Sequence, residues 1–303
     1  MDRVVLVTKA TRLEELIVQH LTHGAARFSL ESQGQSIEPY VAEDAAHRSA
    51  IAHIRKQIPN DVLTTSVTRE NLPNFLFRDN DLVIVCGPDG LFANVAKYLT
   101  DQPVLTVNPD PNTVAGVLML FHPKMVGEII AKVREGKHCV ERLPFVKAAF
   151  DDGRTLWGIN DIFIGRKDQV SARYRVTYGS QEENQSSSGI IVSTGVGSTG
   201  WIRSIQAMVA GLNRDGGGSK ILPPSPASNR LLFVVREPFP SPTTGTSIVT
   251  GAVLPNAPLL VTSQMPEGGF LFSDGIIERA EEWGAGSTVT VSVGDRFVSR
   301  IIS

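Results

Sequence analysis

The first half of the chain alternates between short apolar runs and segments in which apolar residues recur at helical spacing. The apolar runs predict strands at residues 4–8, 82–86 and 104–107, and the helical spacing predicts helices at residues 11–21, 42–57 and 91–99. A further helical segment is predicted at residues 114–137, with Pro123 beginning its second part. Strands that alternate with helices in this way are typical of a parallel, doubly wound α/β sheet.

After about residue 142 the pattern changes to short β-rich segments separated by turn residues. These segments fall at residues 145–150, 157–164, 172–178, 190–193, 230–235, 247–253, 258–263, 269–273 and 288–293. Such spacing is typical of an antiparallel sandwich or barrel, with residues 180–188 and 213–220 as exposed loops. We therefore expect an α/β domain at residues 1–141 and a β-rich, sandwich-like domain at residues 142–303. The C-terminal segment either stays in the second domain or returns to the first.

Composition and charge restrict the class of partner. The chain has 303 residues, 42% of them hydrophobic, with 29 basic against 31 acidic residues and no dense run of Lys or Arg. This balance does not indicate a basic surface that would bind nucleic acid or an anionic membrane, although it is compatible with binding of small nucleotides. No signal-peptide pattern or membrane-length apolar run is present, so we expect a cytoplasmic protein. Cys86 and Cys139 lack ligand-type spacing and are interpreted as free, buried thiols.

The strand predicted at residues 82–86 runs into Gly87-Pro88-Asp89-Gly90, and a helical pattern follows. Asp89 is therefore expected at the carboxyl end of a strand, beside a helix N-terminus, where open α/β sheets bind ligands. A carboxylate there can accept a proton from a hydroxyl while backbone amides hold a phosphate. Taken alone, a Gly-x-Asp-Gly turn is also an ordinary connection.

Three further segments carry candidate chemistry. Ser193 to Gly200 follows an apolar run and is dense in hydroxyls and glycines, so it can bring amides and hydroxyls to a phosphate or ribose, or serve as a flexible connection. Asn160-Asp161 offers an amide and a carboxylate that can grip a diol, or forms a turn. Ser273-Asp274-Gly275 closes a strand and alone is typical of a hairpin turn.

Read in order from about residue 81 to residue 303, these segments resemble the NAD kinase family. That family has a GGDG loop, an Ile-Asn or Val-Asn strand end, an Asn-Glu pair, a long loop of the form DGLIVSTPTGSTAY and a late Asp-Gly turn. Here they correspond to residues 87–90, 107–108, 160–161, 189–201 and 273–275. The most specific matches are Ile-Val-Ser-Thr at 191–194 and Gly-Ser-Thr at 197–199.

The resemblance implies an N-terminal α/β nucleotide-binding domain, a β-rich second domain and a nucleotide site between them. It implies transfer of a phosphoryl group from ATP, or polyphosphate, to the 2′-hydroxyl of NAD to give NADP, with Mg²⁺ accompanying ATP. It also implies a homo-oligomer. By the same resemblance Asp89 is the catalytic residue. Residues that bind nucleotide or substrate would be Gly87, Gly90, Asn160, Asp161, Ser193, Thr194, Gly197, Ser198, Thr199, Gly200 and Trp201.

Several positions depart from the family pattern. Pro88 replaces a glycine and removes one backbone amide from the phosphate-facing turn. Leu91 stands where a threonine is usual, Ser188 where an aspartate is usual, Asp161 where a glutamate is usual, and Trp201 where a tyrosine is usual. Three functions therefore stay open: an NAD kinase, a kinase of the same fold acting on another nucleoside or sugar hydroxyl, and a noncatalytic nucleotide-binding regulatory protein.

Overall fold

A computed structural model describes residues 1–111, 116–213 and 222–303 of the chain. The described residues divide into two units. Unit 1 comprises Met1–Glu141 together with Val298–Ser303, and unit 2 comprises Arg142–Phe297. None of the helices in the described ranges combines the length and apolar composition that crossing a bilayer requires.

Unit 1 is built on a parallel sheet in which β1, β3 and β4 are buried on both faces and β2 is largely exposed. Its strands are β1 (Arg3–Thr8), β2 (Leu63–Thr68), β3 (Asp81–Cys86), β4 (Pro103–Val107) and the end of β16 (Thr288–Ile301). They lie in the order β2-β1-β3-β4-β16, and every neighbouring pair is parallel. All six residues of β3 are buried, as the continuous apolar run predicts for a strand covered on both faces. The predicted parallel α/β architecture is confirmed.

The α-helices in the described part of unit 1 are α1 (Arg12–His20), α2 (His23–Ser32), α3 (Glu38–Gln57), α4 (Asp89–Ala96) and α5 (Val126–Arg134). Thr11 caps α1 in a capping box with Glu14, which fixes where the chain turns after β1. Apolar residues of α3 and α5 pack against the sheet face that carries Leu6 and Ile84. At the end of β16, Arg300 donates to Glu141 at 2.8 Å through Nε and to the carbonyl of Leu118 at 3.2 Å.

Unit 1 departs from the sequence prediction in four places. The helix predicted at residues 114–137 is α-helical only over Val126–Arg134, after a short 3₁₀ turn at Pro123–Met125, and residues 114 and 115 lie outside the described residues. Before that turn, the amides of Val117 and Leu118 bond a side chain rather than helix carbonyls. Helix α2 and the polar strand β2 carry too little hydrophobic signal to be predicted. Cys139, expected to be buried, is exposed, whereas Cys86 is buried.

Unit 2 consists of antiparallel strands. One sheet has the order β12-β11-β10-β7-β14-β15. Its strands are β7 (Asp161–Arg166), β10 (Ile190–Ser193), β11 (Leu231–Val235), β12 (Thr250–Val253), β14 (Gly269–Ser273) and β15 (Ile276–Glu282). The other strands are β5 (Val140–Phe150), β6 (Thr155–Gly158), β8 (Ala172–Tyr178), β9 (Gln181–Ser187), β13 (Leu259–Ser263) and the beginning of β16. In this second set β9, β8, β13 and β16 pair in that order, and β5 pairs with β6.

The core of unit 2 lies between the two sets of strands. Ile162 and Phe233 of the first sheet share one buried cluster with Tyr174 and Val261 of the second. The two sheets therefore pack face to face, which confirms the predicted sandwich. Helix α6 (Trp201–Leu212) covers the outer face of the six-stranded sheet, where Ile202 packs among its aromatic and aliphatic side chains.

Three features of unit 2 differ from the prediction. Residues 180–188, predicted as a loop, contain strand β9, whose polar side chains hide its extended conformation. The single strand predicted at residues 157–164 is two strands, β6 and β7, separated by a bend at Ile159 and Asn160. Helix α6 and strand β15 were not predicted. Of the loop predicted at residues 213–220, only Asn213 falls within the described ranges.

Candidate functional site

The turn between β3 and α4 carries the candidate catalytic residue. Pro88 is the N-cap of α4, with φ −77° and ψ 165°, and Asp89 is the first helical residue. Because a proline has no N–H, the cap contributes no amide donor at this helix N-terminus. A Cβ at Gly87 would lie 2.9 Å from Cδ2 of the buried Leu91, so a larger residue there would need that side chain to shift.

The carboxylate of Asp89 is held by the segment that follows β4. Oδ2 accepts from the amide of Val117 at 3.1 Å, and Oδ1 accepts from the amide of Leu118 at 3.1 Å. The carbonyl of Leu118 in turn accepts from Arg300, so the C-terminal strand fixes the segment that orients Asp89. A carboxylate can accept about four hydrogen bonds, and Asp89 is half-buried, so it retains capacity for a hydroxyl donor.

A cleft of about 240 Å³ opens beside this turn within unit 1. Its lining comes from the segments that follow β1, β3 and β4, together with α3: Lys9, Ala10, Thr11, Arg12, Glu43, His47, Gly87, Pro88, Asn108, Pro109 and Asp110. The carboxyl ends of parallel strands are where open α/β folds bind ligands. Arg12 is paired with Glu43, while Lys9 brings a second cation to the cleft. The cleft is therefore lined by two basic side chains, Lys9 and Arg12, by two acidic ones, Glu43 and Asp110, and by the turn at the N-terminus of α4.

In unit 2, Asn160 and Asp161 lie at the bend between β6 and β7, and a carboxylate from another strand end holds this bend. Asp274 accepts from three consecutive amides, those of Ile159 at 3.2 Å, Asn160 at 2.7 Å and Asp161 at 3.3 Å. Gly158 permits the tight bend, because a Cβ there would lie 2.6 Å from the carbonyl oxygen of Asp161. The sequence predicts a hairpin turn at Asp274. Apart from the Asp-Gly dipeptide, nothing in the sequence indicates its contact with the bend.

The hydroxyl-rich loop after β10 lies against the same bend, and its hydroxyls bond main-chain carbonyls. Thr194 Oγ1 donates to the carbonyl of Ile159 at 2.6 Å, and Ser193 Oγ donates to that of Asn160 at 3.2 Å. Ser198 and Thr199 donate to carbonyls within the loop, at 2.7 and 3.1 Å. These hydroxyls therefore donate within unit 2 and shape the loop.

The glycines of this loop also have a packing role. A Cβ at Gly197 would lie 2.0 Å from the carbonyl oxygen of Asn160, and a Cβ at Gly195 would lie 2.0 Å from that of Ser225. Both glycines are thus required for close backbone approach within unit 2. By contrast, the nearest atom to a Cβ at Gly200 would be 3.5 Å away, an ordinary contact.

One polar atom at the bend lacks a partner. Oδ1 of Asn160 is buried and accepts no hydrogen bond from the described residues. A buried acceptor left unpaired is costly, and such atoms often mark a ligand position. Asp161 is also buried, at the start of β7. An N–H or O–H donor on a ligand would satisfy Asn160.

Trp201 begins α6 and belongs to an aromatic cluster. Its ring stacks on Phe163 with a centroid distance of 5.7 Å and an interplanar angle of 11°, and Arg236 lies 5.3 Å from its centroid. The indole is therefore packed against the six-stranded sheet. Of the residues singled out from the sequence, Asn160, Asp161, Ser193, Thr194 and Gly197 are brought together in unit 2. Gly87, Asp89 and Gly90 are brought together in unit 1.

The architecture was compared with known proteins. No family model and no curated protein sequence matches the chain. Among solved structures, yeast NADH kinase complexed with NADH matches with a TM-score of 0.63 and 15% identity, covering 100% of this chain and 84% of that one. An NAD kinase from Archaeoglobus fulgidus in complex with ATP matches with a TM-score of 0.60 and 16% identity, covering 99% of this chain and 93% of that one.

The chain has the NAD kinase fold. The resemblance inferred from the sequence motifs is thereby confirmed for the fold. In this NAD kinase fold the GGDG-like turn lies where β3 meets α4, and the Asn-Asp pair lies at the bend before β7. Within the described ranges, no three His, Cys, Asp or Glu side chains are grouped so that they could hold a metal ion.

Proposed function

We propose that this protein is a phosphotransferase of the NAD kinase type. It moves a phosphoryl group from ATP, or from polyphosphate, to the 2′-hydroxyl of NAD and forms NADP. The fold supports this proposal, and two neighbours of that fold are a kinase complexed with NADH and a kinase complexed with ATP. We propose NADH as a second substrate to be tested beside NAD, because the yeast neighbour is an NADH kinase.

The observation that carries the proposal is the position of Asp89. Its carboxylate lies at the carboxyl end of β3 and is oriented by the amides of Val117 and Leu118. Phosphoryl transfer requires mainly positioning of the reactants and stabilisation of charge. A fixed carboxylate meets the positioning requirement, because it can orient the attacking hydroxyl and accept its proton. In this proposal Asp89 orients the 2′-hydroxyl and receives its proton as the new P–O bond forms.

Within unit 2, the bend at residues 159–161 offers groups that can bind the ribose of a nucleotide. Asn160 has a buried Oδ1 without a partner, which a ribose hydroxyl or an amino group can satisfy. Asp161 brings a buried carboxylate that can accept from a diol. Lys9, in the cleft of unit 1, is available to compensate phosphate charge. Mg²⁺ bound to the phosphates would neutralise the charge that develops during transfer.

An assay with purified protein tests this function. The reaction contains Mg²⁺, ATP or polyphosphate, and NAD, NADH or a panel of nucleosides, and products are separated by chromatography. We expect NADP or NADPH, and we expect Asp89→Asn to lower kcat at least about a hundredfold while nucleotide binding is retained. Asp61→Asn serves as the control, because Asp61 forms only an exposed ion pair with Arg134. Normal turnover by Asp89→Asn would refute the assigned role.

A noncatalytic nucleotide-binding function is favoured by one specific observation. The phosphate-facing turn lacks the Pro88 amide, and the buried Leu91 occupies the position of the usual threonine. Loss of these two donors weakens charge stabilisation more than it weakens binding. Saturable binding of ATP and NAD without transfer to any of the tested hydroxyls would support this alternative.

A further inference from the structure

Asp274 adopts a backbone conformation that residues other than glycine rarely take. Its φ is +53°, in the left-handed region, and the following Gly275 has φ +73°. Asp and Asn tolerate this region best among residues with a side chain, but strain of this kind persists only where other interactions compensate for it. The turn directs the carboxylate of Asp274 toward the bend that carries Asn160.

The carboxylate fills a concave site formed by three consecutive amides. Oδ1 accepts from Asn160 and Asp161, and Oδ2 accepts from Ile159, at 2.7 to 3.3 Å. In addition, the amide of Asp274 donates to the carbonyl of Asp161 at 3.0 Å. Successive amides of this kind form an anion-binding nest, and hydrogen bonds to a charged acceptor are the stronger kind. Because Asp274 occupies the nest, a substrate phosphate cannot bind these amides.

The opposite side of the bend is fixed as well. The carbonyl of Ile159 accepts from Thr194 Oγ1, and that of Asn160 accepts from the amide of Thr194 at 2.9 Å. The main chain of the bend has little freedom, because Asp274 bonds its amides and Thr194 bonds its carbonyls. The side chain of Asn160, with its unpartnered Oδ1, projects from this fixed backbone.

We propose that Asp274 is a positioning residue for the phosphoryl-acceptor substrate, a ribose-bearing dinucleotide. It does not touch the substrate. It holds the bend so that Asn160 and Asp161 present their side chains in one geometry. This inference rests on the proposed function of the bend in binding NAD.

The variant Asp274→Asn tests this role without disturbing the turn. Asparagine has the same size and tolerates positive φ, but its side-chain amide places an N–H₂ group where one of the carboxylate oxygens accepted an N–H. The bend then loses part of its anchor. We expect KM for NAD to rise about tenfold, while kcat and KM for ATP stay within about twofold of the wild type.

Glu183→Gln is the matched control in the same unit. The carboxylate of Glu183 also accepts consecutive amides, from Ser247 at 3.0 Å and Ile248 at 3.0 Å, but it anchors a different loop. Its substitution costs comparable hydrogen bonds. We expect it to lower the unfolding midpoint and to leave KM for NAD unchanged. If Asp274→Asn likewise lowers only the midpoint, the positioning role is wrong and Asp274 is structural.

Calorimetric titration with NAD separates this inference from the proposed function. If the wild type binds NAD without transferring phosphate, and Asp274→Asn weakens binding about tenfold, the positioning role stands and the kinase function fails. If the wild type transfers phosphate and the variant binds NAD normally, the positioning role fails alone. A wild type that neither binds NAD nor phosphorylates it would overturn both.

Discussion

Substitution of Gly197 by alanine gives a sharp test of the loop after β10. A Cβ at this position would lie 2.0 Å from the carbonyl oxygen of Asn160, whereas favourable contacts between heavy atoms begin at about 3.5 Å. The loop or the bend must therefore move by about 1.5 Å. The carbonyl of Asn160 accepts hydrogen bonds from the amide of Thr194 and from the hydroxyl of Ser193, and a shift of this size breaks them.

Two hydrogen bonds of about 1 kcal/mol each predict a loss of about 2 kcal/mol in the free energy of unfolding. The measurement is denaturation by urea, followed by tryptophan fluorescence and circular dichroism. Gly211→Ala is the control, because a Cβ there meets nothing within 4 Å and lies in helix α6, where alanine is favoured by up to about 1 kcal/mol. A Gly197→Ala variant within about 0.5 kcal/mol of the wild type would refute the close approach.

Three further predictions concern charge and thiols. Asp81→Ala leaves buried Arg3 without its carboxylate partner. We expect urea denaturation to show a loss of about 3–5 kcal/mol in the free energy of unfolding, and a loss below about 1 kcal/mol would contradict this. Burial raises the pKa of the Cys86 thiol to about 12, so at pH 8 a thiol reagent should modify Cys139 alone until the chain unfolds; rapid reaction of both would contradict this. Burial alone would raise the pKa of Glu183, but the amides of Ile248 and Ser247 outweigh it and its pKa is lowered. The stability that Glu183 contributes is therefore present at neutral pH and lost as the pH falls below the usual glutamate range. The difference in unfolding midpoint between wild type and Glu183→Gln should shrink in acid.

Hydropathy predicted β1, β3 and β4 well because their residues are apolar on both faces, whereas it missed the polar parallel strand β2. It failed for β9, where exposed polar residues alternate with buried Gln185 and Ser187, so the strand carries no apolar signal. That strand is specified by its pairing with β8, to which a short turn at Gly179 and Ser180 joins it, and an apolar pattern does not report such pairing.

In the candidate site, too, local sequence patterns predicted some features, while contacts between distant residues could not be predicted. The sequence order placed Asp89 at a strand end, because the apolar run and the glycines are adjacent in the chain. It could not show that Asp274 bonds the amides of residues 159–161, since the partners are more than a hundred residues apart. Likewise, a loop rich in Ser and Thr has the same composition whether its hydroxyls bind phosphate or bond carbonyls. Only the fold distinguishes the two, and here Thr194 bonds carbonyls.

The return of residues 298–303 to unit 1 has a consequence for biosynthesis. Unit 1 pairs its strand β4 with Ser299 and Arg300, which the ribosome adds only after all of unit 2. At ordinary translation rates β4 presents an unpaired edge for on the order of ten seconds. Arg300 also holds the Leu118 carbonyl, whose own amide orients Asp89. The nascent chain therefore completes the surroundings of its candidate catalytic carboxylate last, after the rest of both units has been synthesised.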